Sequence, residues 1–151
     1  MMRKARVADV PAIHRLIMTF AEKNQMLPRS VGDIYECLRD FFVYEEEGEL
    51  IGCGALHVVW ENLAEVKSVA GRADKQDRGI GTLLAKKCLE EARDLGISRI
   101  FVLTYRPDFF ERLGFRPIEK EQLPHKVWTE CIRCPHFPHC NEEALIYEEK
   151  T

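Results

Sequence analysis

Between Asp9 and Asn24 the apolar residues Ile13, Leu16, Ile17 and Phe20 fall at the three-and-four spacing that turns one face of a helix inward. Asp9 stands in an N-cap position and Pro11 in the first turn, so the pattern predicts a helix over about 10–23. The stretch "SVGDIYECLRDF" repeats the signal, with Ser30 and Asp33 spaced as a capping box and Ile34, Cys37, Leu38 and Phe41 on one face. The pattern then changes to tight apolar runs: "FFVYEEEGELIGCGALHVVW" is two runs around "EEGE", and "ENLAEVKSVAG" adds a third. These predict an antiparallel meander. Helical spacing returns in "GIGTLLAKKCLEEARDLG", where Ile80, Leu84, Cys88 and Leu95 share a stripe and Gly96 follows as a C-cap. A short buried strand "SRIFVLTY", a short helix "PDFFERLG" closed by Gly114, a further strand, and a last strand "EEALIYEE" complete the chain. The predicted class is α/β (α+β), as one domain over 1–151.

Composition narrows this without changing it. A length of 151 residues with 46% hydrophobic content is enough for one core. The net charge of −3 offers no basic field for capturing phosphates, so no nucleic-acid partner is expected. No apolar run approaches a bilayer span, and "MMRKARVADV" lacks the apolar middle of a signal peptide, so no membrane partner and a cytoplasmic location are expected.

The chemistry concentrates in "SVAGRADKQDRGIGTLL", where a strand ends near Gly71, a polar loop follows, and Gly79 and Gly81 open the long helix. The first amides of a helix lack internal acceptors and carry partial positive charge, and glycine admits a phosphate close to the backbone. Arg78 adds a full charge. A strand-to-helix turn that merely needs glycine is the alternative.

Gln76-Asp77-Arg78-Gly79-Ile80-Gly81 resembles the Q/R-x-x-G-x-G/A pyrophosphate loop of the GNAT superfamily of N-acetyltransferases, and "FFERLGF" resembles the superfamily's late "FYExxGF" turn. The resemblance covers about residues 3 to 148. It implies the GNAT fold, a central mixed and mostly antiparallel sheet flanked by helices, and acetyl-CoA as co-substrate. Carried over, the pantetheine meets the strand at Val69 and Gly71, and the pyrophosphate meets Gln76, Asp77, Arg78, Gly79, Ile80, Gly81 and Thr82. Asp77 departs from the glycine common there, and Gly71 and Ala73 replace the usual valine and proline.

Within the superfamily, "ARVADVPAI", "LPRS", "ELIGCGAL", "LAEVKSVA" and "FVLT" are similar to the acetyltransferase domain of bacterial N-acetylglutamate synthases. That implies a free amino acid as acceptor, L-glutamate first, direct transfer in a ternary complex, and a place in arginine biosynthesis. Arg29 and Lys67 match basic acceptor positions of that family, and Glu65 its base. Lys67 lies in a strand buried on at least one face, where a lysine needs a carboxylate partner. Arg29 also reads as a solvated surface charge. Strand alternation puts Glu65 and Lys67 on one face, as one site or one ion pair. An amide near Val69 is the expected oxyanion donor. Phe110 stands where many members have a tyrosine, so Tyr105 is the candidate general acid, with aromatic packing as its alternative. The kinase-like domain that often precedes this one in glutamate synthases is not in this sequence, so its feedback site is not expected. Other small amines or a protein lysine are alternative acceptors, and a non-catalytic CoA-binding, metal- or redox-sensing module is the alternative class. Superfamily members often dimerise, which admits a homodimer.

The segment 128–141 holds "CIRCPHFPHC". Cys131 and Cys134 have zinc-knuckle spacing, and Cys140 with His136 or His139 would complete four ligands. Structural zinc, packed thiols and a disulfide all remain open, and no metal ligand is assigned. Lys126 and Arg133 flank or enter this loop as further carboxylate contacts. Cys37, Cys53 and Cys88 read as small hydrophobes, and His14 and His57 as structural. An acetyl-cysteine intermediate has no paired histidine to support it.

Overall fold

The computed structural model describes residues 1–72, 74, 79–123 and 142–149. Strands β1 (Met2–Lys4), β2 (Phe41–Glu46), β3 (Glu49–Trp60), β4 (Leu63–Gly71), β5 (Arg99–Thr104), β6 (Arg116–Ile118) and β7 (Glu143–Glu148) form one sheet in the order β1-β2-β3-β4-β5-β7-β6. Helices α1 (Val10–Ala21), α2 (Val31–Glu36), α3 (Ile80–Asp94) and α4 (Pro107–Glu111) cover it. Every strand pair is antiparallel except β4 with β5. Those two are joined through α3, the crossover that a parallel pair requires.

Alternation along the strands divides the core between two faces. Phe42, Leu56 and Val66 pack with Ile80, Leu84 and Cys88 of α3 on one face. Phe41, Val43, Cys53 and Ala55 pack with Ile13 and Ile17 of α1 and Ile34 of α2 on the other. A third cluster, with Leu63, Phe101, Leu123 and Ile146, lies under the β5–β7 end of the sheet.

Four local expectations change. The short strand β1 was not legible, because three residues carry too little pattern; it is held by pairing to β2. Asp9 does not cap α1 through its side chain; it accepts from Arg6 N at 2.7 Å and pairs with Arg3. The second helix stops at Glu36, because a 3-10 turn over Leu38–Asp40 delivers the buried Phe41 into β2. Ser30 does cap α2, accepting from Asp33 N at 3.0 Å. Leu95 is 54% exposed rather than part of the α3 stripe, which ends at Ala92 on its buried side.

Gly52 sets how closely α3 approaches the sheet. A Cβ there would lie 2.7 Å from Ile80 Cγ2 and 2.8 Å from Leu84 Cδ1. The bare backbone therefore lets α3 settle against β3.

Candidate active site

β4 and β5 pair only from Ala64↔Ile100 to Val66↔Val102. Beyond that point β4 runs on to Gly71 without pairing to β5, and the gap becomes a cleft of about 700 Å³. This is within the usual size range of small-molecule sites. A bulge shapes its wall: Ala55 pairs with Lys67 and Cys53 with Ala70, and Ser68 takes a positive φ of 56°. The bulge shifts the alternation of β4 where the strand enters the cleft.

Glu65, Lys67 and Arg29 all line this cleft. Glu65 is 6% exposed. Lys67 Nζ stands 4.0 Å from Glu65 Oε1, as the strand alternation requires. Arg29 is not a solvated charge, since its side chain is only 7% exposed. It donates from Nε to Asp33 Oδ2 at 2.7 Å and from Nη1 to Ser68 Oγ at 3.3 Å, and it lies over the Phe41 ring. Burial pushes the Asp33 carboxyl up, but Arg29 and the charges of Lys67 and His57 outweigh it, so the group sits below its usual range.

The opposite side of the cleft is built from the end of β4 and the start of α3. Gly79 begins α3 with φ 72°, a left-handed conformation that glycine adopts without steric cost. A Cβ at Gly71 would lie 3.7 Å from Gly81 N, and one at Gly81 would lie 3.6 Å from Phe109. Val69, Gly71, Gly79, Gly81 and Thr82 line the cleft, whereas Ile80 is buried in the core below. The arrangement offers helix-start amides and small residues beside an open groove, which suits an anionic, elongated ligand. Gln76, Asp77 and Arg78 lie outside the described residues, as does the whole cysteine segment from 128 to 141.

Tyr105 follows β5 and lines the cleft, half-buried. Phe110 is 5% exposed and packs edge-on against Phe109 and Phe115, so it serves the core. Sequence reasoning missed three polar residues here. Ser68 reaches Arg29 only because of the bulge, which no residue type signals. Asp33 was read as a capping residue and also holds Arg29. Glu142 is 6% exposed and lines the cleft, yet it sits at the edge of β7, far from the other site residues in sequence.

Two thiols sit in the core as small hydrophobes. Burial pushes Cys53 and Cys88 up to about 12. Cys37 does not lie on an apolar stripe. It is half-buried at the end of α2, its thiol 3.9 Å from Asp33 Oδ1.

The sequence pattern described as the acetyltransferase (GNAT) family matches residues 10–115. The chain belongs to that family. An uncharacterized N-acetyltransferase of Chlorobaculum tepidum is 41% identical over 95% of this chain and 93% of its own length. An amino-acid acetyltransferase of Mycobacterium tuberculosis is 40% identical over 87% of this chain and 76% of its own. Amino-acid acetyltransferases of Neisseria meningitidis are 33% identical over 81% of this chain, which spans only 28% of their length. Among solved structures, Rv2747 of Mycobacterium tuberculosis in complex with CoA and NLQ matches at TM-score 0.85, with 32% identity and 99% coverage of both chains. N-acetylglutamate synthase of Neisseria gonorrhoeae complexed with coenzyme A and N-acetyl-glutamate matches at TM-score 0.91 with 27% identity, over all of this chain and 35% of that one. The GNAT sheet with its helices is therefore the fold of this chain, as the loop and turn motifs implied. Among the described residues, no helix is long and apolar enough to cross a membrane.

Proposed function

We propose that residues 1–151 act as one acetyltransferase domain that moves the acetyl group of acetyl-CoA to the amino group of a free amino acid, L-glutamate before others. The observation that carries this reading is the cleft itself. It joins a groove of glycines and helix-start amides to a pocket holding Lys67, Arg29 and the buried Glu65. The amino-acid acetyltransferase relatives and the N-acetyl-glutamate in the gonococcal structure support the choice of acceptor.

In this reading Val69, Gly71 and the segment Gln76–Thr82 hold acetyl-CoA, with amides meeting the pyrophosphate. Lys67 and Arg29 face the acceptor's carboxylates, Lys67 as a point charge and Arg29 as an oriented fork steadied by Asp33 and Ser68. Glu65 takes up the proton that the acceptor ammonium must lose, directly or through one water. The Val69 amide meets the negative charge that grows on the acetyl oxygen, and Tyr105 supplies the proton for the departing thiolate. The reading places the enzyme in the cytoplasm and in arginine biosynthesis.

The test is acetyl-CoA turnover with a panel of acceptors: L-glutamate, other free amino acids, polyamines and a lysine peptide. Glutamate turnover above the rest is expected. Turnover of polyamine or peptide with none of glutamate would overturn the acceptor, and acetyl-CoA binding without turnover of any acceptor would overturn the catalytic reading.

A further inference from the structure

Behind the acceptor wall, three donors from three different elements converge. Cys37 caps the end of α2, Asp40 ends the 3-10 turn that follows, and His57 comes from β3. Their ligand atoms all lie within 4.8 Å of one another. We propose that Cys37, Asp40 and His57 form a binding site for a zinc-class divalent cation that ties the end of α2 to β3.

The donor set fits that class. A thiolate, an imidazole and a carboxylate are the ligand types of zinc and its borderline-soft neighbours, whereas magnesium and calcium prefer all-oxygen sites. The charges also fit: Cys37 as thiolate and Asp40 as carboxylate supply two negative charges for one dication. Burial raises the Cys37 thiol, with Asp33 and Asp40 adding to the rise and Arg29 and Lys67 opposing it. A bound cation reverses that balance by stabilising the thiolate directly.

Without the ion, His57 Nδ1 and Asp40 Oδ2 stand 2.6 Å apart, at hydrogen-bond distance. Ligands of one tetrahedral zinc stand roughly 3–4 Å apart, given metal bonds of about 2.0–2.3 Å. The pair must therefore part by about 1 Å, and Nδ1 gives up its proton, to Nε2 from a neutral ring or to solvent from a charged one. On binding, the Cys37 thiol proton leaves to solvent while three metal–ligand bonds form, and water fills the fourth position.

The location gives the site a consequence. His57 pairs with Glu65 across the β3–β4 ladder. The end of α2 lies next to Asp33, which holds Arg29. An ion here fixes the wall that carries Arg29 relative to the strand that carries Glu65 and Lys67.

Cys131, Cys134 and Cys140 would compete for the same ions, so the test uses the full chain carrying Cys131→Ser, Cys134→Ser and Cys140→Ser. Cobalt(II) is added as the probe. The expected result is a thiolate-to-cobalt charge-transfer absorption that saturates at about one ion per chain and vanishes when Cys37→Ser is added. Absence of that absorption in the chain that keeps Cys37, or its persistence after Cys37→Ser, overturns the proposal. Should the serine variant fail to fold, the zinc content of the wild type is compared with that of Cys37→Ser, both purified with zinc and without chelator. A fall of about one equivalent is expected, and equal contents overturn the site. Neither readout uses acetyl transfer, so failure here leaves the proposed reaction standing, and failure of that reaction leaves this site standing.

Discussion

The Lys67 ammonium stands 4.0 Å from Oε1 of the buried Glu65, two residues away on the same face of β4. This is the outer edge of an ion pair. The lysine places its positive charge near the buried carboxyl and still lines the cleft. Each partner's removal should therefore leave a different kinetic trace.

Glu65→Gln keeps the shape and removes the proposed base. It is expected to lower kcat about 10²–10⁴-fold with acetyl-CoA affinity unchanged. Lys67→Ala is expected to act mainly on the acceptor's KM. Steady-state kinetics in both substrates, with CoA binding by calorimetry, checks this. A Glu65→Gln enzyme with wild-type kcat would remove Glu65 from the reaction.

Gly52→Ala would ordinarily stiffen a strand, but here the added methyl meets Ile80 and Leu84, which are 2% and 0% exposed. Overpacking of this kind is expected to cost about 1–3 kcal/mol. At Gly54 the nearest atoms to a new Cβ are 3.4 Å away or more, so Gly54→Ala should cost less. Urea unfolding of the two variants decides the order, and a more stable Gly52→Ala protein would contradict the close approach of α3.

Arg3 holds the Asp9 carboxyl below its usual range, donating to both of its oxygens at 2.7 and 2.9 Å, and Arg3 also reaches Glu45. A carboxyl lowered in the folded state contributes stability above its unfolded pKa, roughly pH 4, and that contribution is lost as pH falls through the folded value. Asp9→Asn should therefore lower stability at pH 7 by about 1–2 kcal/mol and flatten the acid limb of the stability curve. Thermal melts from pH 7 down to about 3 test the slope.

Cys53 and Cys88 combine full burial with thiols pushed up to about 12. Both should resist iodoacetamide at pH 8 while the protein is folded and react when it is unfolded. Cys37, half-buried and raised by burial, should label slowly in the native state. Peptide mass mapping separates the three, and rapid native labelling of Cys53 or Cys88 would contradict their placement in the core.

Much of this architecture was legible because it is periodic. The α1 and α3 faces, the meander of β2 to β4, and the shared face of Glu65 and Lys67 follow from spacings of 3.6 and 2. The family followed from the glycine loop and the "FFERLGF" turn, which are local. Local order does not fix which distant groups meet. The three residues of β1 became a strand by pairing with β2, and Cys37 left its expected stripe because α2 ends at Glu36 and a 3-10 turn over Leu38–Asp40 leads the chain into β2.

The sequence by itself determined the longer periodic elements, the family and the glycines that open α3, since each rests on residues close together in the chain. Only the tertiary structure decided the character of the cleft around Arg29 and Glu65. There, pairing of β4 with β5 stops at Val66, and a bulge at Ser68 brings its hydroxyl to Arg29. Burial of Glu142 in the same cleft adds a carboxylate from β7's edge. The physical reason is that burial and partnering of a charge depend on which strands end and where, and that is set by contacts between segments far apart in sequence.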